Sequence, residues 1–219
     1  IQLGMGSVSG WDSAAGYDYI YYGNWTAPDG NTTSGPIRWR VLDDQTNTGN
    51  EGLFLLSDTL LGAGTSGDVR FNGFSDGNTW QGSDAQDWCE TFYNDSFSDG
   101  EQGAVLATTK SDGAFTSSTN SLSFAVYDNI LNGDKVFFLS AEEAENSAYG
   151  FNDDSARIAN YGESAGVWWV RSLYATTDIV AGAVHSLGNV SDHYFVSDYC
   201  AARPAFNLDL NSVLFTSAA

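Results

Sequence analysis

Short apolar segments separated by polar, turn-forming loops run along the whole chain. Residues 18–22 and 37–42 alternate between polar and apolar side chains, which is the pattern of a half-buried β-strand. Residues 53–56 are continuously apolar, which indicates a strand buried on both faces. Three further strands are predicted at residues 135–139, 167–171 and 202–208.

The first predicted helix begins near Ser83 or Asp84, either of which is a good capping residue. Trp88, Phe92 and Tyr93 then fall at the i, i+4 and i+5 positions of one apolar face. Strands and helices do not alternate regularly along the chain. The sequence therefore predicts an α+β domain rather than a doubly wound parallel sheet.

Two S-x-x-E capping boxes predict two more helix starts. Ser98 and Glu101 form the first box, ahead of a helix that we expect to run through residues 105–106. Ser140 and Glu143 form the second box, ahead of a short helix.

The composition restricts the classes of function. The 219 residues contain 42% hydrophobic and 14% aromatic residues, enough for a substantial core. A formal net charge of −20 repels phosphate backbones, so we expect no nucleic-acid partner. The sequence contains no run of about 18 apolar residues, so we predict no membrane span. Acidic side chains are possible calcium ligands, but a solvated acidic surface is the simpler interpretation, and we predict no cofactor.

The only two cysteines are Cys89 and Cys200, and there is no C-x-x-C motif. Such a pair can form one long-range disulfide or remain as separate thiols. Cys89 lies between Trp88 and Phe92 in the predicted helix, which favours a buried core thiol. We therefore predict that no disulfide joins the two.

Several phrases occur together in an order that resembles a known family. They are Pro36-Ile-Arg-Trp-Arg-Val-Leu42, Leu55-Leu-Ser57, Trp80 with Ser83 and Trp88, Phe97-Ser98 with Glu101, Val136-Phe-Phe-Leu-Ser140, Trp168-Trp-Val-Arg171 and Ala202-Arg-Pro-Ala205. The chain resembles, over residues 17–210, a bacterial extracellular domain family with a C-type-lectin-like fold. Formylglycine-generating enzymes and the variable proteins of diversity-generating retroelements share that fold.

The resemblance implies one domain over residues 1–219, with mixed twisted sheets, two main helices and long loops. It does not bring catalysis with it, because formylglycine-generating enzymes use a close cysteine pair near the carboxyl terminus and Cys200 has no such neighbour. The calcium-binding tripeptides of sugar-binding lectins, Glu-Pro-Asn and Gln-Pro-Asp, are also absent from the sequence. We therefore expect a non-enzymatic binding module.

In retroelement variable proteins the diversified segment lies near the carboxyl terminus and forms the exposed ligand-binding face. Mutation of adenines in an Asn codon that ends in a pyrimidine reaches fifteen residue types but not Lys, Glu, Gln, Met or Trp. These five types account for 22 of residues 1–171 and for none of the 29 residues 172–200. Both histidines also fall in this window. The sequence therefore predicts a variable ligand-binding segment at 172–200.

The candidate contacts are tyrosines, which supply stiff amphipathic area, and polar residues, which supply adaptable hydrogen bonds. They are Tyr174, Asp178, His185, His193, Tyr194, Asp198 and Tyr199. Below these contacts we expect a frame of buried side chains, in which a carboxylate pairs with Arg171. Its members are Trp168, Trp169, Arg171, Arg203 and Phe206.

We expect a monomeric adhesin- or receptor-type domain at the cell surface or outside the cell, or alternatively on a phage particle, that binds a protein or a surface glycan. A fixed carbohydrate-binding or structural module is the alternative. Ser, His and Asp side chains are present for a hydrolase triad, but no G-x-S-x-G motif accompanies them. His185 and His193, with Asp192 or Asp198, fit no standard zinc spacing.

Overall fold

The computed structural model describes residues 17–28, 34–44, 52–63, 68–118, 123–124 and 130–212, with the backbone alone at 123, 192 and 193. Its strands are β1 (Tyr19–Trp25), β2 (Gly35–Asp43), β3 (Leu53–Ser57), β4 (Val69–Arg70), β5 (Thr108–Lys110), β6 (Phe115–Thr116), β7 (Ser123–Phe124), β8 (Leu131–Asp134), β9 (Phe137–Phe138), β10 (Asn160–Tyr161), β11 (Ser164–Ala165), β12 (Trp168–Leu173), β13 (Val180–Val184), β14 (Val190–Phe195), β15 (Tyr199–Cys200) and β16 (Pro204–Leu208). Its helices are α1 (Asp84–Ser96), α2 (Asp99–Gln102), α3 (Ala141–Ala144) and α4 (Asp154–Arg157), with a 3₁₀ turn at Ser147–Tyr149. The predicted α+β class is confirmed.

The largest sheet has five antiparallel strands in the order β1-β2-β3-β16-β9. The late strand β16 therefore lies inside the sheet, between β3 and β9. Every residue of β3 and of β16 is buried, which explains their continuous apolar sequences. The strands predicted at residues 18–22, 37–42, 53–56 and 202–208 are confirmed as β1, β2, β3 and β16.

The alternation in β2 separates a core face from an ionic face. Trp39 is fully buried and meets the ring of Phe206 edge-on, with 4.7 Å between ring centroids. Arg38 and Arg40 lie on the other face, and the Nε of each donates to Asp58, at 2.8 and 2.7 Å. Burial raises the pKa of Asp58, but Arg40 and Arg38 outweigh this and hold it below its ordinary value.

A second antiparallel sheet has the order β12-β13-β14. β12 confirms the strand predicted at residues 167–171. The strand predicted at 135–139 is only partly right, because β9 has two residues. β9 pairs with Pro204 and Ala205 of β16, and Pro204 has no N–H to extend that ladder.

Helix α1 begins where its sequence predicts, because the Ser83 Oγ accepts from the backbone N of Gln86 at 3.1 Å. Within the described residues α1 is the only helix longer than four residues, because α2, α3 and α4 have four each, so a second main helix is not found there. In the described part of the chain, no helix has the length and apolar character needed to cross a membrane.

The two capping boxes are confirmed, but the helix expected through residues 105–106 is not. α2 ends at Gln102. Val105 then forms a β-bridge with Leu208, and Leu106 N donates to the Asn207 carbonyl at 2.8 Å. Pairing with β16 therefore replaces the helical hydrogen bonds in this segment.

A buried ionic network joins β12 to α3 and β5. The guanidinium of Arg171 donates to Glu143 at 2.7 Å and to Asp112 at 2.9 Å. Lys110 also contacts the Glu143 carboxylate. The expectation that a carboxylate holds Arg171 is confirmed, with two carboxylates rather than one.

Candidate functional site

The predicted binding segment, residues 172–200, forms two of the three strands of the second sheet and then a short strand that pairs elsewhere. β13 and β14 pair antiparallel, with Val184 opposite Val190 near the turn and Val180 opposite Phe195 at the far end. After β14 the chain turns at residues 195–198, and β15 then pairs with β4. The segment is therefore a β-hairpin followed by a short return strand, and each part presents side chains at a different place.

The buried frame that the sequence predicts is shared between β12 of this sheet and the segment of β16 in the larger sheet. Trp168, Trp169, Arg171, Arg203 and Phe206 are all fully buried. Trp169 Nε1 donates to the Val69 carbonyl at 2.7 Å, which satisfies its polar group inside the core. The frame therefore fixes the sheet below the candidate contacts.

The seven candidate contact residues differ in their exposure. Asp178 and Tyr199 are exposed, whereas Tyr174, His185, Tyr194 and Asp198 are partly buried, and the side chain of His193 lies outside the described residues. The expectation that all seven are solvent-exposed is therefore wrong for four of them.

The seven residues also do not form one patch. His185 lies in the β13–β14 turn, whereas Asp178 precedes β13, so the five residues of β13 separate them by roughly 17 Å. Asp178 is part of a turn that Asn78 holds, since its Nδ2 donates to the carbonyls of Thr177 and Val180 at 3.0 and 2.7 Å. The segment therefore has two separate ends.

Two of the candidates have structural roles. The Tyr194 ring contacts Trp169 edge-on, with 6.3 Å between centroids, and burial raises the pKa of its hydroxyl. The Asp198 carboxylate accepts from Phe195 N at 2.9 Å, while Asp198 N donates to the Phe195 carbonyl at 2.8 Å. Asp198 therefore closes the turn before β15.

An exposed aromatic cluster adjoins the segment. We use this name for two contact pairs, Phe74 with Phe195 and Arg70 with Tyr199, which the turn at residues 195–198 connects. The rings of Phe74 and Phe195 lie 6.0 Å apart, and the Arg70 guanidinium lies 4.6 Å from the centre of the Tyr199 ring. The three rings are 56%, 45% and 55% exposed. They make up half of the six exposed large hydrophobic side chains among the described residues.

Sequence reasoning missed Phe74, Phe195 and Arg70. Phe195 lies in the 172–200 window and belongs to the fifteen residue types of a diversified Asn codon, which was a usable signal. Phe74 was also detectable, because it is a lone large apolar residue between Gly73 and Ser75 in a turn-forming loop. Nothing local in the sequence indicates that Arg70 lies under Tyr199.

A groove of about 300 Å³ borders the aromatic cluster at Tyr199. The hairpin of β10 and β11 forms one wall with Tyr161 and Ser164, and Ser186 of the β13–β14 turn lies at another side. Cys200 is part of its lining and is itself 2% exposed. Tyr199 therefore belongs both to the groove and to the Arg70–Tyr199 pair of the aromatic cluster.

The turn beside the groove is held rigidly by α4. Gly188 has φ +91°, and a Cβ added there would lie 1.7 Å from the Asp154 carbonyl oxygen. The Arg157 Nε donates to the Gly188 carbonyl at 2.7 Å. His185 N donates to the Asn189 carbonyl at 2.9 Å, which closes the turn itself. The position of Ser186 in the groove is therefore fixed by packing below it.

The two cysteines are separate, buried free thiols, and the prediction that Cys89 is a core thiol is confirmed. Burial raises the pKa of both thiols above their ordinary value. Among the described residues, no three His, Cys, Asp or Glu side chains are grouped so that they could hold a metal ion. The side chains of Asp192 and His193, part of the zinc alternative, lie outside those residues.

The model of one family, described as "Domain of unknown function (DUF6273)", matches residues 50–210 of the chain. This range contains the buried frame, the groove and the aromatic cluster. None of the curated proteins and none of the solved structures matches the chain.

Proposed function

The chain belongs to the DUF6273 family, and from this premise we propose that it is a non-enzymatic module that binds a protein ligand through the Tyr199 groove and the adjoining aromatic cluster. The observation that carries the proposal is the presence of two exposed aromatic contacts, Phe74 with Phe195 and Tyr199 with Arg70, at the two ends of the turn at residues 195–198. Large exposed apolar groups that cluster on an otherwise very acidic protein favour an interaction site.

The residue types favour a protein as the ligand. Aromatic side chains and arginine are enriched among the residues that contribute most to protein–protein binding. Tyr199 supplies a large ring with two torsions, and the Arg70 guanidinium limits the positions of that ring. The groove beside it offers a depression in which a partner side chain can be surrounded. A stiff aromatic surface next to a groove is suited to a protein partner.

We also propose that the residues of this surface are diversified. The C-type-lectin-like fold and the relation to retroelement variable proteins are likewise proposals. Phe195, Leu187 and Tyr199 are exposed and are reachable from a mutated Asn codon. The buried residues Trp168 and Trp169 precede the window and are not reachable. The stabilising contacts thus lie in the buried frame, so the fold can tolerate substitutions at the surface residues.

A gene-level observation tests diversification. We expect a near-copy of the codons for residues 170–215, with Asn codons at the positions that differ, beside a reverse transcriptase gene. If the complete genome contains neither the near-copy nor the reverse transcriptase gene, diversification is excluded and the surface is a fixed binding surface. The proposed location, at the cell surface or on a phage particle, follows from the same genome context.

A display experiment tests the binding surface itself. One library randomises six positions of the 172–200 segment together with Phe74, and a matched library randomises seven exposed positions on β1, α1 and α2. The first set is Phe74, Asp178, Ser186, Leu187, Phe195, Ser197 and Tyr199. The second set is Tyr21, Asn24, Asp84, Asp87, Thr91, Asp95 and Asp99. Both libraries are selected on immobilised lysozyme and streptavidin as probes.

We expect folded binders from the first library and few or none from the second, because the first set includes residues of the Tyr199 groove and of the aromatic cluster, whereas no member of the second set lines that groove. Binders that arise equally from both libraries, or a first library that contains no folded members, would contradict the proposal. Screening for hydrolase and oxidase turnover tests the non-enzymatic part. Turnover that disappears in His185→Ala would show an enzyme instead.

A further inference from the structure

A second cleft, of about 410 Å³, lies between α1 and β8, on elements that do not form the Tyr199 groove. Its volume is in the range of small-ligand sites. One wall is a polar side of α1, and the facing wall is the end of β8 and the residues that follow it. The cleft is therefore separate from the proposed protein-binding surface.

The α1 wall is a stripe of planar polar side chains. Gln86, Glu90 and Asn94 are spaced by four residues, which places them above one another on one side of the helix. Tyr93 lies beside Asn94 and also lines the cleft. The polar side of a surface helix normally meets only water, but this one faces β8.

A buried carboxylate fixes the inner end of the cleft. Asp134 is 9% exposed, and its Oδ1 accepts from Trp80 Nε1 at 3.0 Å and from Gln86 Nε2 at 2.7 Å. Its Oδ2 accepts from Asn132 N at 2.7 Å and from Gln81 Nε2 at 3.2 Å. Four donors on one carboxylate hold both walls in a single geometry, so the site is pre-organised.

Three side chains at the mouth of the cleft keep their hydrogen-bonding capacity for a ligand. Glu90, Asn94 and Asn132 are exposed, and their side chains make no hydrogen bond within the described part of the chain. By contrast, the Tyr93 hydroxyl donates to the Gln102 carbonyl at 3.0 Å, which anchors its ring at the cleft. The mouth thus combines two amides and a carboxylate with a fixed aromatic ring.

This combination is suited to a sugar. A carboxylate or an amide presents two adjacent polar atoms, which match two neighbouring hydroxyls on a pyranose ring. An aromatic ring packs against the apolar C–H face of the same sugar. Phosphates and carboxylate-bearing sugars are disfavoured, because Glu90 and Asp134 are acidic and the ammonium of Lys135, the one cation among the described residues of the lining, donates to the Val105 carbonyl at 2.6 Å.

We propose that the α1–β8 cleft binds a neutral mono- or disaccharide, held by Glu90, Asn94 and Asn132 and stacked on Tyr93. This site is independent of the proposed protein-binding surface. The two sites together would let one domain contact a glycan and a protein at the same time.

The test uses methyl glycosides of glucose, galactose, mannose and N-acetylglucosamine, with glucuronic acid and a sulfated galactose as acidic comparisons. Binding is measured by calorimetry and by NMR shifts of the full chain. We expect at least one neutral glycoside to bind, and the acidic sugars to bind more weakly. Asn94→Ala and Asn132→Ala should each weaken binding about tenfold, the loss expected for one hydrogen bond.

Two control variants test whether the saccharide binds in this cleft. Asn24→Ala removes an exposed amide from β1 and should leave saccharide affinity unchanged. Tyr199→Ala removes the proposed protein site and should also leave it unchanged. Absence of binding to every neutral glycoside, or binding that survives both Asn94→Ala and Asn132→Ala, would overturn the proposal. Loss of saccharide binding in Tyr199→Ala would place the sugar at the other surface and overturn it as well.

Discussion

Arg171 and Glu143 form an ion pair with no contact to solvent on the arginine side, with 2.7 Å between Nη1 and Oε2. The same guanidinium donates to Asp112 and to the Phe138 carbonyl, so its charge is surrounded by acceptors. A buried charge is tolerated only when it is paired and hydrogen-bonded. The network therefore locks β12, which is followed by the β13–β14 hairpin, to α3.

We predict that Arg171→Met lowers the free energy of unfolding by about 3–5 kcal/mol, because it leaves Glu143 and Asp112 buried without this partner. Arg38→Met is the matched control. The Arg38 side chain is 44% exposed, and its partner Asp58 keeps Arg40, so a loss of about 1 kcal/mol or less is expected. Urea denaturation of both variants measures the difference. Equal losses would show that the buried network has no special weight.

The network also predicts how stability depends on acid. Burial raises the pKa of Glu143, but Arg171 and Lys110 outweigh it and lower the pKa from its ordinary 4.5 to about 2. Because the folded value is the lower one, this contribution is fully present above pH 4.5 and is lost as the pH falls towards 2. We expect a loss of about 3 kcal/mol across this window.

The measurement is a series of urea titrations between about pH 5 and pH 2. Glu143→Gln is the control, because it cannot titrate, and its stability curve should be flatter over the same range. Identical slopes for the two proteins would assign the acid sensitivity to other carboxylates.

The frame and the contact surface should respond differently to truncation. Trp169→Ala should cost about 3–5 kcal/mol, since the ring is fully buried and its Nε1 is hydrogen-bonded. Tyr199→Ala should stay within about 0.5 kcal/mol, the range of surface positions. Tyr194→Ala should fall between them, at more than about 1 kcal/mol, because its ring packs on Trp169. A denaturant series over the three variants tests this order, and a Tyr199→Ala loss like that of Trp169→Ala would contradict the surface assignment.

These differences show what the sequence could and could not predict. The strand pattern in β2 was readable, because residues 37–40 alternate between the core and the Asp58 side. The end of α2 was not readable. A capping box indicates where a helix begins, but this helix is followed by the pairing of Val105 with Leu208, which lies more than one hundred residues away in the sequence. The sequence also could not predict on which side of the hairpin Tyr194 lies, because a register shift between Ala181 and Ala183 interrupts the alternation of the two faces.

Contacts distant in sequence also determine the candidate surface. Phe74 reaches Phe195, and Arg70 reaches Tyr199, across more than one hundred residues. Residue composition identified the 172–200 segment, but it does not report which loops from elsewhere lie beside it. The aromatic cluster therefore became visible only in the folded chain.

The cysteines should be unreactive in the folded protein. Burial raises the pKa of the Cys89 thiol and of the Cys200 thiol, so little thiolate is present at neutral pH. We expect no iodoacetamide adduct after brief native treatment and two adducts in denaturant, both read by intact mass. A protein that takes up no label in denaturant and gains two hydrogens on reduction would contain a disulfide and contradict this prediction.

Gly188 should be fixed even though it lies inside the segment proposed to vary. Its φ of +91° strains any other residue, and an added Cβ would also collide with the Asp154 backbone, which cannot move without displacing α4. Gly162→Ala is the matched control, since φ is +60° there but no atom lies within 4 Å of the added Cβ. We expect Gly188→Ala to cost about 2 kcal/mol more than Gly162→Ala. Thermal unfolding of the two variants measures this difference, and amide exchange at residues 185–189 reports whether the turn leaves α4. Equal stabilities would mean that the turn is not held by α4, and that the wall of the groove at Ser186 is mobile rather than fixed.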